Sequence, residues 1–132
     1  MSDRFLDANI CVYAFNKSDQ RKQTMAKELL SDGLCISSQV IIETYLACSR
    51  KLKMPPSTCE ENTQFLCAIT TIVPIDSSVF NMALKLKIKF QFSFLDAVIV
   101  AASLQANCTT LYSEDLYHGQ KIETLSIINP FV

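Results

Sequence analysis

Four acids in this chain stand where their neighbours would normally exclude charge. Asp7 follows Phe5-Leu6, Glu43 lies among Val40, Ile41, Ile42, Tyr45 and Leu46, Asp96 follows Phe94-Leu95, and Asp115 comes soon after Leu111-Tyr112. Burying one ionised carboxylate costs several kcal/mol unless it is paired, and four that converge also repel one another. A divalent cation removes both difficulties. Mg²⁺ or Mn²⁺ suits the set, because hard cations take oxygen ligands and Mg²⁺ keeps several waters while using one or two protein carboxylates. A site of this kind polarises a phosphodiester, makes hydroxide from water near neutral pH and stabilises the leaving oxygen, which together amount to metal-dependent phosphodiester hydrolysis. Taken singly, an Asp at a strand end or helix start is as readily a cap or a turn former, and Glu43 has Arg50 or Lys51 as possible partners. The conjunction points to a shared ion: two acids at strand ends and two on apolar helices.

The elements that must carry these acids can be read in order. Arg4 to Asp7 reads as a short strand, Ala8 to Phe15 as a short helix, and Gln20 to Leu30 as a helix ended by Ser31-Asp32-Gly33. Leu34 to Ser37 gives a second strand. Gln39 to Lys51 forms a helix capped by Ser37 or Ser38, Met54-Pro55-Pro56 stops and turns the chain, and Thr58 to Thr70 is helical again. Thr71 to Pro74 follows as a strand, then the capping signal Asp76-Ser77-Ser78 and a helix from Val79 to Lys89. Ser93 opens a helix through Ala106, closed by Asn107, with so little polar face that it must be buried. There Asp96 sits in the first turn, where the helix dipole favours a negative charge. Thr109 to Ser113 and Leu125 to Ile128 supply two last β segments. Strands alternating with helices predict an α/β fold, a three-layer α/β/α sandwich around a mostly parallel sheet. Its functional crevice should lie beyond the carboxyl ends of the strands, where Asp7 and Asp115 are.

Length and composition fit one domain across residues 1–132: hydrophobic residues make up 49% and charged residues 19%, with only 2 Gly and 4 Pro, which excludes disorder and a turn-rich all-β chain. The formal charge of -1, from 12 Lys plus Arg against 13 Asp plus Glu, marks no global nucleic-acid binder. Six cysteines at wide spacing, with a single His, make no zinc motif, and the opening MSDRFLDANICVYAF lacks the pattern of a secretory signal. Reduced thiols and a cytoplasmic location are expected. The longest apolar run, Ala97 to Ala102, is far below the ~20 residues that span a bilayer, so no membrane partner is expected.

The segments FLDANICVYAF, ISSQVIIETY, SFLDAVIVAAS, LYSEDLYHGQ and the closing IINPF, in this order and spacing, resemble PIN-domain ribonucleases, specifically toxins of the VapC type from bacterial toxin-antitoxin modules. The resemblance covers essentially the whole chain. It implies a PIN-like sandwich, an endoribonuclease activity, and a match of Asp7, Glu43, Asp96 and Asp115 to the acidic quartet that binds Mg²⁺ or Mn²⁺ for RNA cleavage. Asn9 and Ser113 match small polar positions that orient ligands or phosphate. Glu114 is taken as a flanking residue, and Leu95 departs from the Trp many relatives carry before the third acid. The resemblance further implies a cognate antitoxin whose tail covers the acidic groove, and a homodimer. With no DNA-binding segment in the sequence, operator DNA would be contacted by the partner alone.

RNA is polyanionic, so an acidic pocket needs positive charge nearby. Arg50, Lys51 and Lys53 after the Glu43 segment, and Lys85 and Lys89 on one face of the helix before Asp96, are the candidates, although both groups also suit solvated helix C-termini. His118 reads as a turn residue beside Gly119, and Phe90, Phe92 and Phe94 as core or dimer contacts rather than a base-stacking platform. Two other classes fit the sequence less well. A catalytically silent PIN-fold module that binds RNA or a protein is disfavoured by the presence of all four acids. A haloacid dehalogenase-type phosphatase requires Asp-x-Asp after the first strand, where this chain has Asp7-Ala8-Asn9.

Overall fold

The computed structural model describes residues 3–30 and 33–132. The chain runs through β1 (Arg4–Leu6), α1 (Ala8–Phe15), α2 (Gln20–Leu30), β2 (Cys35–Ser37) and α3 (Ser38–Leu46). A π-helical turn (Ala47–Lys51) extends α3 and leads to α4 (Pro56–Ile69), β3 (Thr71–Val73) and α5 (Ser77–Phe90). Then come α6 (Phe94–Gln105), β4 (Thr110–Tyr112), β5 (Lys121–Ile122) and β6 (Leu125–Ile128). The sheet order is β3-β2-β1-β4-β6-β5, with every neighbouring pair parallel except β5 against β6.

This order explains where the site falls. From β1 the chain steps outward to β2 and β3, then crosses back to β4 on the other side of β1. Right-handed crossovers place α1 to α4 on one face and α5 and α6 on the other. Packing agrees: α1 contacts α2 and α3, α3 contacts α4, and α5 and α6 lie against each other. The result is the α/β sandwich expected from the sequence. Strand order reverses between β1 and β4, which pair through Phe5 and Leu111, so the crevice opens beyond Leu6 and Tyr112.

The core follows from the apolar pattern. Phe5, Leu6, Ile36, Leu111, Leu125 and Ile127 are fully buried, and α6 is buried continuously from Ala97 to Ser103. Each such large side chain contributes roughly 1.5–3 kcal/mol relative to exposure. The hydroxyl of Ser103 is satisfied in that interior by donating to the carbonyl of Ile99 at 2.9 Å.

Several boundaries differ from the sequence reading, each for a local reason. Ser37 is the cap of α3, its Oγ accepting from the Val40 amide at 3.3 Å, while Ser38 accepts from Ile75 at 3.1 Å and ties the helix start to the chain after β3. The helix expected to run uniformly to Lys51 widens at Ala47, where the Leu52 amide reaches the Ala47 carbonyl at 3.0 Å. Pro56 begins α4 rather than merely stopping what precedes it, since a first-turn residue needs no amide hydrogen. The strand β5 was not anticipated: two residues carry no periodicity, and the hairpin depends on Glu123 at φ 55°. Of the stop expected after α2, Ser31 and Asp32 lie outside the described residues, and Gly33 has φ 69°.

Candidate active site

Asp7 leaves β1 at the crevice, where its backbone amide donates to the Tyr112 carbonyl at 2.9 Å and so ties it to the end of β4. It caps α1, with Oδ1 accepting from the Ala8 amide at 2.7 Å, while Oδ2 accepts from the Ser113 hydroxyl at 2.8 Å. The cap reading and the site reading therefore describe one side chain. Burial pushes its carboxyl up to about 6; hydrogen bonds from Ser113 and Ala8 oppose that rise, and Glu43 and Asp96 add to it.

The turn after β4 presents the second acid. Ser113 is buried and bonded by its amide to the Ile128 carbonyl at 3.0 Å, and its Oγ accepts from the amides of Asp115 and Leu116 at 3.3 Å each. Asn9 links the turn to α1: its Nδ2 donates to Asp115 Oδ2 at 3.0 Å and to Asp7 Oδ2 at 3.5 Å, and its Oδ1 accepts from the Glu114 amide at 3.2 Å. Asn9 and Ser113, singled out in the sequence as orienting residues, hold both strand-end acids.

The other two acids come from helices on opposite faces of the sheet. Glu43 is half-buried on α3, and burial raises its carboxyl, with a donor from Gln39 opposing and the nearby Asp96 and Asp115 adding to the rise. Asp96 lies in the first turn of α6, whose cap Ser93 accepts from the Asp96 amide at 3.2 Å. Gln39, which sequence reasoning passed over, spans the two helices: Nε2 donates to Glu43 Oε2 at 3.2 Å and to the Leu95 carbonyl at 3.1 Å. Its spacing of four residues from Glu43 on one helix was the available signal.

Asp7, Glu43, Asp96 and Asp115 line one cavity of about 490 Å³, together with Asn9, Tyr13, Lys51 and Glu114. A larger groove of about 1190 Å³ between α1, α2 and α4 is lined by Phe15, Leu30, Leu52, Met54, Phe65 and Ile69 and by no acid, so the chemistry belongs to the smaller cavity. Asn16, Lys51 and Leu52 border both. Among the described residues no three His, Cys, Asp or Glu side chains lie close enough, as they stand, to hold a metal ion. The donor chemistry nevertheless fits a hard divalent ion. The hydrogen-bond donors seen at Asp7, Glu43 and Asp115 are a hydroxyl, side-chain amides and a backbone amide, all neutral, so none of these bonds brings a positive charge to offset the mutual repulsion of the acids. Mg²⁺ uses only one or two protein carboxylates with water completing its shell, so such an ion needs no finished cage.

Glu114, the acid treated as flanking, is handled differently. Its Oε1 accepts from the Tyr13 hydroxyl at 2.7 Å and its Oε2 pairs with Lys22, whose ammonium also reaches the Tyr13 oxygen at 3.2 Å. Burial would raise its carboxyl, but Lys22 and Tyr13 outweigh that and hold it below the ordinary range. Nothing in the sequence signalled this cluster, because its members are 92 and 101 residues apart.

Of the candidate RNA-binding bases, Lys51 borders the cavity; Arg50, Lys53, Lys85 and Lys89 are exposed and do not line it. Phe90, Phe92 and Phe94 pack against the core, Phe94 edge-on to Phe80 at 5.4 Å, as the sequence suggested. His118 serves the turn: its Nδ1 accepts from the Asn129 amide at 2.9 Å. The six cysteines are free, all buried except Cys67. Among the described residues no single helix is long and apolar enough to cross a membrane.

The chain belongs to the PIN domain family, whose sequence profile matches residues 4–120. Its structure is similar to that of VapC20 from Mycobacterium tuberculosis, described as a sarcin-ricin loop cleaving toxin, with 18% identity, 85% of this chain and 89% of that chain covered, and a TM-score of 0.71. A toxin-antitoxin complex from Klebsiella pneumoniae gives 18% identity, 96% and 97% coverage and a TM-score of 0.73. VapBC2 from Rickettsia felis, solved bound to a DNA fragment from its promoter, gives 20%, 94% and 96%, and 0.70. At this identity the likeness shows the fold. No curated protein matches the chain in sequence.

Proposed function

We propose that this protein is a metal-dependent endoribonuclease, the toxin of a type II toxin-antitoxin pair, acting in the cytoplasm. The observation that carries the proposal is the convergence of Asp7, Glu43, Asp96 and Asp115 on one cavity at the strand-order reversal, where the hydrogen-bond donors on Asp7, Glu43 and Asp115 are all neutral. Membership of the PIN family and the structural likeness to VapC-type toxins support the same reading.

In this reading the four carboxylates hold Mg²⁺ or Mn²⁺, directly or through water. Such an ion supplies charge neutralisation at a phosphate and acidification of a water molecule. The rest is done by the chain. Ser113 and the Ala8 amide fix the Asp7 carboxylate by one hydrogen bond to each oxygen, and Asn9 holds Asp115 in register with it. Gln39 holds Glu43 against the first turn of α6. Lys51 at the rim supplies a cation for the RNA backbone, and no covalent nucleophile is required.

The antitoxin is the second partner. The apolar groove between α1, α2 and α4 meets the acidic cavity at Asn16, Lys51 and Leu52, which supports a partner segment that lies along the groove and ends over the acids. A homodimer is supported by the row Phe80, Leu84 and Ile88 on α5, exposed at 46%, 42% and 82%. Contact with operator DNA is assigned to the partner.

The test uses purified, antitoxin-free protein and a structured RNA with Mn²⁺. Asp7→Asn and Asp96→Asn should each abolish cleavage while leaving the fold intact by circular dichroism. Undiminished Mn²⁺-dependent cleavage by either variant overturns the assignment. A native chain that binds RNA, yet gives no heat with Mn²⁺ in calorimetry and no cleavage, is the silent binding module instead.

A further inference from the structure

The closing Asn129-Pro130-Phe131 segment lies far along the chain from most of the acids and has no part in the mechanism above. Phe131 is nonetheless buried, with its ring edge-on to Tyr13 at 5.1 Å. The Lys22 ammonium sits over both rings, 4.7 Å from the Tyr13 centroid and 5.1 Å from that of Phe131. Arg21 donates to the Phe131 carbonyl at 2.9 Å and fastens this end to α2.

We propose that Lys22, seated between Tyr13 and Phe131, is a positioning residue for Asp115: it clasps Glu114 and thereby fixes the turn from which Asp115 faces the cavity. The proposal rests on the reading of Asp115 as a site residue. Its geometric basis is a continuous chain of contacts. Lys22 and Tyr13 occupy the two carboxylate oxygens of Glu114, so that acid is withdrawn from any cation in the cavity. Glu114 in turn gives its amide to Asn9, and the same Asn9 side chain holds Asp115. Lys22 remains partly exposed, but the Tyr13 and Phe131 rings cover it on one side and restrict where its ammonium can sit, which a freely solvated surface pair lacks. The position of Asp115 therefore depends on α2 and on the last residues of the chain.

Lys22→Met, which keeps the stem and removes the charge, is compared with Lys22→Arg and Tyr13→Phe by hydrogen exchange on the metal-free protein. The amides of Glu114, Asp115 and Leu116 should lose protection in Lys22→Met and Tyr13→Phe, with the β1 and β6 amides unchanged, and Lys22→Arg should restore them. Mn²⁺ affinity, read by calorimetry, should fall about tenfold in Lys22→Met, and kcat should fall with KM unchanged. Native protection of these three amides in both disruptive variants overturns the proposal. So does a double variant Lys22→Met/Glu114→Gln that binds Mn²⁺ clearly more weakly than Lys22→Met, because Glu114 is then itself a ligand. A native protein without Mn²⁺ binding, but with the exchange pattern as stated, sinks the nuclease reading and leaves the clasp standing.

Discussion

At neutral pH Asp7 is ionised against the preference of its surroundings, because burial has moved its carboxyl up from 3.8 to about 6. The native state therefore holds a proton more tightly than the unfolded chain, and stability falls as pH rises from about 4 to about 6, then levels off. Asp7→Asn removes that penalty and should stabilise the metal-free protein by about 3 kcal/mol at pH 7, the gain shrinking towards zero near pH 4. Denaturant titration of both proteins at the two pH values measures it, and an equal difference at each pH contradicts the assignment. Mn²⁺ should raise the stability of the native chain and not of the variant. The same physics made Asp7, Glu43, Asp96 and Asp115 readable from sequence alone: a charge among apolar neighbours is costly, so its presence demands a reason. Lys22, Tyr13 and Glu114 gave no such signal. Each is an ordinary surface-compatible residue, and their pairing exists only in three dimensions.

The elements show the same division between local and distant causes. Helices with side-chain caps, α3 at Ser37, α5 at Asp76 and α6 at Ser93, were located within a residue or two, since the cap is written beside the helix it starts. The π-helical turn at Ala47–Lys51 was not, because a wide turn has no composition of its own and is settled by what surrounds it. Its effect is to bring Lys51 to the border of both the acidic cavity and the apolar groove. Deleting the exposed Ser49 should tighten this stretch to α-helix and rotate Lys51 by about 100°. RNA affinity, measured by fluorescence polarisation on an Asp96→Asn background, should fall as it does for Lys51→Met. Each change should also reduce the slope of log affinity against log salt by about 0.7, the loss of one phosphate contact to single-stranded RNA. A deletion variant with native affinity and slope contradicts this role for the turn.

Across the whole molecule, the near-zero net charge conceals a separation. Four acids are gathered in one cavity, a fifth is neutralised by Lys22, and the lysines and arginines stay mostly on the outside. The α/β alternation was legible because six strands and their helices follow the simplest right-handed path, with only the terminal β5–β6 hairpin outside that pattern. The apolar row on α5 predicts that Leu84→Glu/Ile88→Glu converts a dimer to a monomer in sedimentation velocity; a native monomer at tens of micromolar removes the dimer from the proposal. Ser113 meets Asp7 across 106 residues, and the Lys22 clasp is closed by Phe131, so the site has no local precursor. Asp7, Glu43 and Asp96 all precede in the chain the residues that align them, so the four-acid arrangement forms only once β1 and β4 have paired. Folding of the domain and assembly of the acidic cavity are therefore one event, since no stretch of chain short of that closure presents the four acids together.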